Sequence, residues 1–291
     1  MISMPNNNSY IDLHLHTVAS DGTFTPESLI RHASSRGLKA IAVTDHDAWE
    51  SIKPAAVLGA KLGIEVIPGV ELSTTIGETE IHILGYFIDY LDPDFQKEVL
   101  RFKQARIERA QKIVEKLGTA GVRIDIKHVL EVAGSGSVGR PHVARALLDE
   151  GYVGSTDEAF SRYLGFGAPA YVPKNFMSPQ DAFELIHYVR GLAFFAHPGI
   201  EGRDEMIDQF TAWGLDGLEV WHSKHSPSQV KHYLELAGKK GMLVSGGSDS
   251  HGDQDLDSIK YNLKVTYDVV EKMKARVNDV ATRKWMNEDG E

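Results

Sequence analysis

The sequence predicts an α/β protein, a barrel of seven strands split in two by a helical insert. Three observations predict it. Seven short apolar segments, beginning near Tyr10, Ala40, Ile64, Glu80, Leu192, Gly217 and Met242, read as strands, and helical patterns separate most of them. Between the fourth and the fifth, over about residues 89–165, the text turns helical and charged. Almost every strand ends in a His, Asp or Glu, as expected where the loops at one rim of a barrel build an active site.

The first strand alternates: Ile11, Leu13 and Leu15 face one way, Asp12, His14 and His16 the other. A loop around Asp21-Gly22 and Thr25-Pro26 opens a helix over about residues 27–35, and Gly37 precedes a second apolar strand, residues 40–44. Another helix reaches Gly63, and residues 64–67 form the third strand. The turn at Gly77 and the short return at residues 80–87 make this part of the sheet irregular or locally antiparallel. Inside the insert, helices are expected over about residues 98–117, 126–132 and 141–150. Alternation resumes with a helix at 181–190, strands at 192–196 and 217–220, a helix at 227–240 and a strand at 242–245. A last helix, about 268–276, precedes a polar tail, residues 281–291, expected to fray. The domain reading is a discontinuous barrel, residues 8–88 and 166–280, with an inserted cap at 89–165.

Composition narrows the functional classes. The chain has 291 residues, 31 Lys+Arg against 41 Asp+Glu, a formal charge of -10, 13 His and no Cys. At roughly 150 residues per domain the length allows two units, yet an α/β barrel of this size can be one. With 42% hydrophobic and 25% charged residues, the chain can build a large core. Lack of cysteine excludes disulfides, thiolate ligands and cysteine nucleophiles, so any metal site must use nitrogen and oxygen. The acidic balance argues against a broad basic surface for nucleic acid but leaves room for a local pocket that takes a phosphorylated end. The first ten residues lack a signal-peptide plan, and no apolar run approaches the roughly 18 residues of a membrane span, so a soluble cytoplasmic protein is expected. No protein partner is evident.

Histidine is the unusual residue, and its placement matters more than its number. His14 and His16 share a strand face and could reach one cation. Thr44-Asp45-His46-Asp47 puts three titratable groups between a strand and a helix. Asp45 and Asp47 could orient ligating histidines, cap a helix or face solvent. Glu71 follows another strand, and its two oxygens could bridge two divalent ions. His82 lies opposite the face of Ile81 and Ile83; His197 precedes Pro198-Gly199; Asp249 and His251 follow a glycine-rich bend. Asp21, beside Gly22, reads by itself as a turn former. Singly, each has an ordinary explanation as a surface, core or turn residue. Together, His14, His16, Asp21, His46, Glu71, His82, His197, Asp249 and His251 suit Zn²⁺, Mn²⁺ or Fe²⁺ better than Ca²⁺. They are too many for one ion; three ions, two sharing Glu71, would use the set.

His14-Leu15-His16, Thr44-Asp45-His46-Asp47, Gly69-Val70-Glu71, His197-Pro198-Gly199 and Ser248-Asp249-Ser250-His251 resemble the ordered motifs of the PHP (polymerase and histidinol phosphatase) metallophosphoesterases. Residues 11–22 are most similar to the bacterial subgroup of nucleoside 3′,5′-bisphosphate phosphatases and 5′ to 3′ oligoribonucleases. The resemblance implies a distorted (β/α)7 barrel with an inserted helical domain. It also implies one metal held by His14, His16, Glu71 and Asp249, a second by Glu71, His82 and His197, and a third by Asp21, His46 and His251. Some PHP proteins carry histidine where this chain has Asp21.

Phosphate also needs positive donors. Arg140-Pro141-His142 opens a predicted helix after the glycine-rich stretch at 134–139, which could bring Arg140 and free backbone N–H groups to an anion. In the related subgroup an insert arginine resembles a phosphate contact; His142 is the weaker candidate. His222, after a strand, is the better-placed phosphate ligand or proton-transfer group, with Lys224 and His225 in the outer loop. Tyr171 is available to stack at the entrance and Lys174 to meet phosphate. Arg101, Arg106 and Arg109 read as solvent-facing salt-bridge partners on the insert helix. The reaction expected is phosphoester hydrolysis: hydroxide held between two metals attacks phosphorus in line, Arg140 and the metals stabilise the phosphoryl oxygens, His222 assists a proton transfer and Glu71 bridges. The substrate expected is a nucleoside 3′,5′-bisphosphate or 5′-mononucleotide. Short 5′-phosphorylated RNA, cut from its 5′ end, is the alternative, then histidinol phosphate, then a nonhydrolytic phosphate or nucleic-acid binding module. Three divalent ions would offset six units of the formal -10 charge, so the acidic total does not exclude phosphate chemistry.

Overall fold

Seven strands join in chain order into one mixed sheet: β1 (Ile11–Asp12), β2 (Ala40–Val43), β3 (Glu65–Ile76), β4 (Thr79–Tyr86), β5 (Leu192–Phe195), β6 (Gly217–His222) and β7 (Leu243–Gly247). The structure is a computed structural model and describes residues 9–77, 79–173, 177–252 and 265–288, with side chains to residue 279. Neighbouring strands run parallel except where β4 is reversed against β3 and β5. The chain beyond β1 returns to β7: the Leu13 amide donates to the Gly246 carbonyl at 3.1 Å and the Asp249 amide to the His14 carbonyl at 2.9 Å. These bonds bring the first and last strands together, so the sheet is a nearly closed barrel.

The first strand is shorter than its alternating pattern, because Leu15 N–H donates to the Thr44 hydroxyl at 3.1 Å in place of a ladder carbonyl. The third is longer, twelve residues instead of the four expected, because Pro68-Gly69 does not end it. A Cβ at Gly69 would lie 2.9 Å from Thr44 Cγ2 and 3.0 Å from the Val43 carbonyl, so only glycine admits the approach of β2. β3 therefore carries on into an antiparallel hairpin with β4 through Gly77, whose φ is 59°.

Helices α1 (Pro26–Ser35) and α2 (Ile52–Leu62) cover Ile41 and Val43 of β2. The insert follows β4: α3 (Pro93–Thr119), α4 (Ile126–Ala133), α5 (Arg140–Asp149) and α6 (Thr156–Ala159), which runs into a π turn at Phe160–Leu164. α3 starts at Asp92, whose carboxylate accepts from the Asp94 and Phe95 amides at 2.9 Å. Its first turns pack Phe95 and Val99 against the barrel, while Ile113 and Leu117 join Val129, Val143, Leu147 and Leu164 in a separate core. After the insert come α7 (Pro179–Tyr188), α8 (Pro198–Glu201), α9 (Ile207–Ala212) and α10 (Pro227–Lys240).

The last helix, α11 (Asp268–Glu288), sets Val269, Val270 and Met273 among Tyr86, Leu192 and Ala40 at the N-terminal ends of the parallel strands, closing the end of the barrel away from the histidines. It extends twelve residues past the expected stop at 276, which corrects the polar tail for residues 281–288: 277–288 holds neither Gly nor Pro, so polarity alone does not end a helix there. No helix among the described residues is long and apolar enough to cross a membrane.

Two arginines also differ from expectation. Arg101 is exposed and pairs with Glu98 at 2.7 Å, as a solvent-facing helix residue does. Arg106 is only 5% exposed; it reaches Asp47 at 2.6 Å, the Ser73 hydroxyl at 2.7 Å and the Val138 carbonyl at 3.4 Å. Arg109 is buried as well, donating to the Val172 carbonyl at 2.8 Å and facing Glu80 at 3.3 Å. These two side chains fasten the insert to the barrel, a role that i, i+4 charge spacing does not reveal.

Candidate metal centre

All nine of the sequence-predicted ligands come to one rim, at the C-terminal ends of the parallel strands and beside the β3–β4 hairpin. Glu71 is at their centre. Its Oε2 lies 3.2 Å from His14 Nε2, 3.3 Å from His16 Nε2 and 3.0 Å from His46 Nδ1. Its Oε1 lies 3.1 Å from His82 Nδ1 and 3.2 Å from His197 Nε2. The hairpin register explains two of these positions: Glu71 opposes Leu84 and Ser73 opposes His82, so Glu71 and His82 are diagonal neighbours on one face. Asp249 Oδ1 is 3.4 Å from His14 Nε2 and 3.1 Å from His16 Nε2, and Asp21 Oδ1 is 3.3 Å from His251 Nε2.

Among the described residues the donor atoms form four overlapping groups able to hold a divalent ion: His14, His16, Glu71 and Asp249; His16, Asp21, His46 and His251; His46, Glu71 and His82; and His82, His197 and Glu201. The donor set fits a cation on a second ground. His14 Nε2, His46 Nδ1, Glu71 Oε2, His197 Nδ1 and Asp21 Oδ1 are buried and make no hydrogen bond. Opposite partners stand 3.0–3.4 Å away, misaligned for donation. Buried nitrogen and oxygen donors that converge without hydrogen-bonding one another are what a coordinated ion satisfies. Glu201 was not apparent in the sequence; its signal is the four-residue spacing from His197 in α8, which puts Oε1 3.4 Å from His197 Nδ1.

Burial and charge oppose each other across the cluster. Burial raises the Glu71 carboxyl, but His46, His14 and His82 outweigh it and hold the group well below the usual range. Burial lowers His16 and His197, yet hydrogen bonds and the charges of Glu71 and Asp249 raise both to about 10. His46 goes the other way: burial and the neighbouring rings push it well down.

Other buried carboxylates hold this layer in place. Asp45 accepts from Thr17 N and Thr17 Oγ1, both at 2.7 Å, and from Ser20 Oγ at 2.6 Å, so it shapes the loop from His16 to Asp21. Asp47 accepts from Ser73 N at 2.9 Å and pairs with Arg106, which ties the histidine loop to β3. Neither faces solvent. Glu219, absent from the sequence reading, reaches His14 Nδ1 at 2.9 Å and His197 N at 2.7 Å. Asp47, His197 and Asp249 all have positive φ, at 46°, 31° and 56°: three non-glycine residues in the left-handed region, at the ends of β2, β5 and β7.

The residues read as substrate contacts separate into three situations. His222 is buried beside the cluster, Nε2 3.3 Å from Asp249 Oδ2, while Nδ1 accepts from Lys224 N at 3.2 Å. Arg140 lies 3.0 Å from Glu80, two residues before His82 on β4, with Arg109 on the other oxygen of the same carboxylate. Its guanidinium carbon is 5.8 Å from the Tyr171 ring centre and 5.9 Å from that of Phe160, and Phe166, 74% exposed, meets Tyr171 edge-on at 5.4 Å. His142 is engaged by the backbone: its Nδ1 accepts from Gly139 N at 2.9 Å and it also meets the Ser20 backbone, so it ties the insert to the barrel loop. Lys174 lies outside the described residues.

A barrel rim that gathers imidazoles and carboxylates beside arginines defines a class, the phosphoester hydrolases that use divalent metals. Comparison with known proteins agrees. Residues 12–154 match the PHP domain. The chain is 34% identical over 247 residues to the 5′-3′ exoribonuclease Rnm of Escherichia coli, covering 82% of this chain and 84% of that protein. It is also 34% identical over 247 residues to the 3′,5′-nucleoside bisphosphate phosphatase of Chromobacterium violaceum, covering 83% and 87%. A solved structure from Bifidobacterium adolescentis, described as a metal-dependent phosphoesterase, superposes with a TM-score of 0.81 at 30% identity over 91% of this chain and 96% of its own. The chain belongs to the PHP family and is a phosphoester hydrolase.

Proposed function

We propose that the chain removes a phosphate from a nucleoside 3′,5′-bisphosphate or 5′-mononucleotide, with three divalent ions at the rim. The observation that carries this is the division of Glu71, one oxygen toward His14, His16 and His46, the other toward His82 and His197. One carboxylate set between two groups of imidazoles suits a bridge. His14, His16, Glu71 and Asp249 would hold the first ion, Glu71, His82 and His197 the second, and Asp21, His46 and His251 the third. The all nitrogen and oxygen set suits manganese, zinc or iron. Ions bound there supply Lewis acidity toward the phosphoryl oxygens and an activated water as nucleophile.

The chain's own residues do the rest. Arg140 exchanges Glu80 for a phosphate oxygen, a charge-assisted contact of the kind that guanidinium geometry favours. His222, whose Nδ1 accepts from Lys224 N, presents Nε2–H as a hydrogen-bond donor to a phosphate oxygen. Tyr171 and Phe166 offer a ring face and edge to the base.

The exposed Phe166 supports one alternative, stepwise cleavage of short RNA from its 5′ end, because a base stacked on an open aromatic edge can continue into a strand. A single assay separates the readings: metal-replete protein with pAp, AMP, 5′-phosphorylated short RNA and histidinol phosphate, with released phosphate and shortened RNA measured separately. Phosphate from pAp or AMP without RNA shortening is the expected result. RNA shortening ahead of phosphate release selects the alternative, preference for histidinol phosphate rejects the nucleotide, and no turnover with metals bound leaves a binding module. Glu71→Gln is expected to remove metal and lower activity at least 100-fold; full metal content and turnover would reject the bridge.

A further inference from the structure

Among the described residues outside the ligand set, Glu219 on β6 is a fully buried carboxylate that touches two of the ligand histidines. Its Oε1 lies 2.9 Å from His14 Nδ1 and its Oε2 2.7 Å from the backbone N of His197. An ionised carboxylate only accepts, so Nδ1 carries a proton of His14 and Nε2 is the nitrogen left to face a cation. That Nε2 is buried, makes no hydrogen bond, and faces Glu71 Oε2 at 3.2 Å and Asp249 Oδ1 at 3.4 Å. The other oxygen acts on the backbone. His197 has a φ of 31°, unfavourable for a side chain with a Cβ, and its amide would be buried without an acceptor if Glu219 were absent. With that turn held, the His197 ring reaches Glu71.

We propose that Glu219 is a positioning residue that holds His14 in the Nδ1–H tautomer, presents its Nε2 as a ligand and clamps the strained His197 turn, thereby organising two metal positions at once. The proposal rests on the ligand reading above. Glu219 does not contact substrate; it acts through the two histidines, as outer carboxylates behind metal-bound imidazoles do.

The chemistry of the amide gives a sharp test. In Glu219→Gln, size and packing are kept, but one oxygen accepts and the NH₂ donates. With the oxygen on His197 N, the NH₂ faces His14 Nδ1 and selects the Nε2–H tautomer, which cannot ligate through Nε2. With the oxygen on His14, the NH₂ meets the His197 N–H and the turn loses its acceptor. Either orientation damages one metal position.

Zinc affinity and stoichiometry of the full chain, measured by chelator competition, are expected to fall about 10- to 100-fold in affinity for Glu219→Gln with the circular dichroism spectrum unchanged. Wild-type affinity in that variant overturns the proposal. A second measurement needs no variant: in zinc-loaded, ¹⁵N-histidine-labelled wild-type protein, His14 is expected to carry its proton on Nδ1, and a proton on Nε2 overturns the proposal. Glu71→Gln in parallel separates the two readings. Its loss of zinc beside an unaffected Glu219→Gln rejects the positioning role alone, and its full retention of zinc rejects the ligand set on which that role depends.

Discussion

At the scale of residues, the cluster is a competition between protons and cations. His16 and His197 are raised to about 10 and so remain protonated at neutral pH until a cation displaces the proton. The sign follows directly: below about pH 10 protons oppose ligation, and raising the pH removes the competitor. Metal-stripped protein is therefore expected to bind Zn²⁺ or Mn²⁺ more tightly at pH 8.5 than at pH 6.5. Titration calorimetry in two buffers of different ionisation enthalpy should show proton release on binding; equal affinities and no release would contradict it. Arg106 makes a different prediction. Arg106→Ala leaves Asp47 buried without its guanidinium, and breaking such a pair costs about 3–5 kcal/mol. Urea unfolding is expected to show a loss of that order, and a change under about 1 kcal/mol would mean that the pair does not hold insert and barrel together. Which arginines on α3 are solvent-facing could not be read from their spacing, since Arg101 and Arg106 differ only in what the barrel puts beside them.

At the scale of elements, the seam between the two ends of the sheet is the sensitive place. A Cβ at Gly247 on β7 would lie 2.3 Å from both His14 N and His14 Cβ, so the strand passes at a distance only glycine allows. Gly247→Ala is expected to force β7 away from the first strand, lowering the melting temperature and the bound metal together. A normal melting curve with full metal content would show that the seam adapts. All seven strands were legible as apolar segments, since period and punctuation are local properties. Their lengths were not. β1 is cut short by a side-chain bond from Thr44, and β3 continues through Pro68-Gly69 because its partners are β2 and then β4, which are non-local facts. The reversal of β4 was legible from the turn at Gly77 and the short return, as an irregular or locally antiparallel part of the sheet.

At the scale of the whole molecule, one rim gathers residues from positions 14 to 251. Ions bound there stabilise the native state by mass action, about 2.7 kcal/mol for one site at a hundred times its Kd. A chelator is therefore expected to lower the melting temperature by about 5 °C or more, at roughly 2–4 °C per kcal/mol for a chain of this size. Scanning calorimetry with and without chelator checks this, and an unchanged curve would mean that the rim stores no metal energy. The amino-acid order alone determined the strand and helix periods, the helical stretch between the fourth and fifth strands, the exclusion of thiolate chemistry and the nine metal-capable residues, since each depends on residue type and near neighbours. Tertiary structure decided how Glu71 divides its oxygens, that Glu219 stands behind His14 and His197, that Glu201 joins the donors, and that Arg106 and Arg109 turn inward. Those are matters of distance between segments up to about 200 residues apart, and distance at that separation is set by how the barrel closes, through hydrogen bonds and packing that no local pattern encodes.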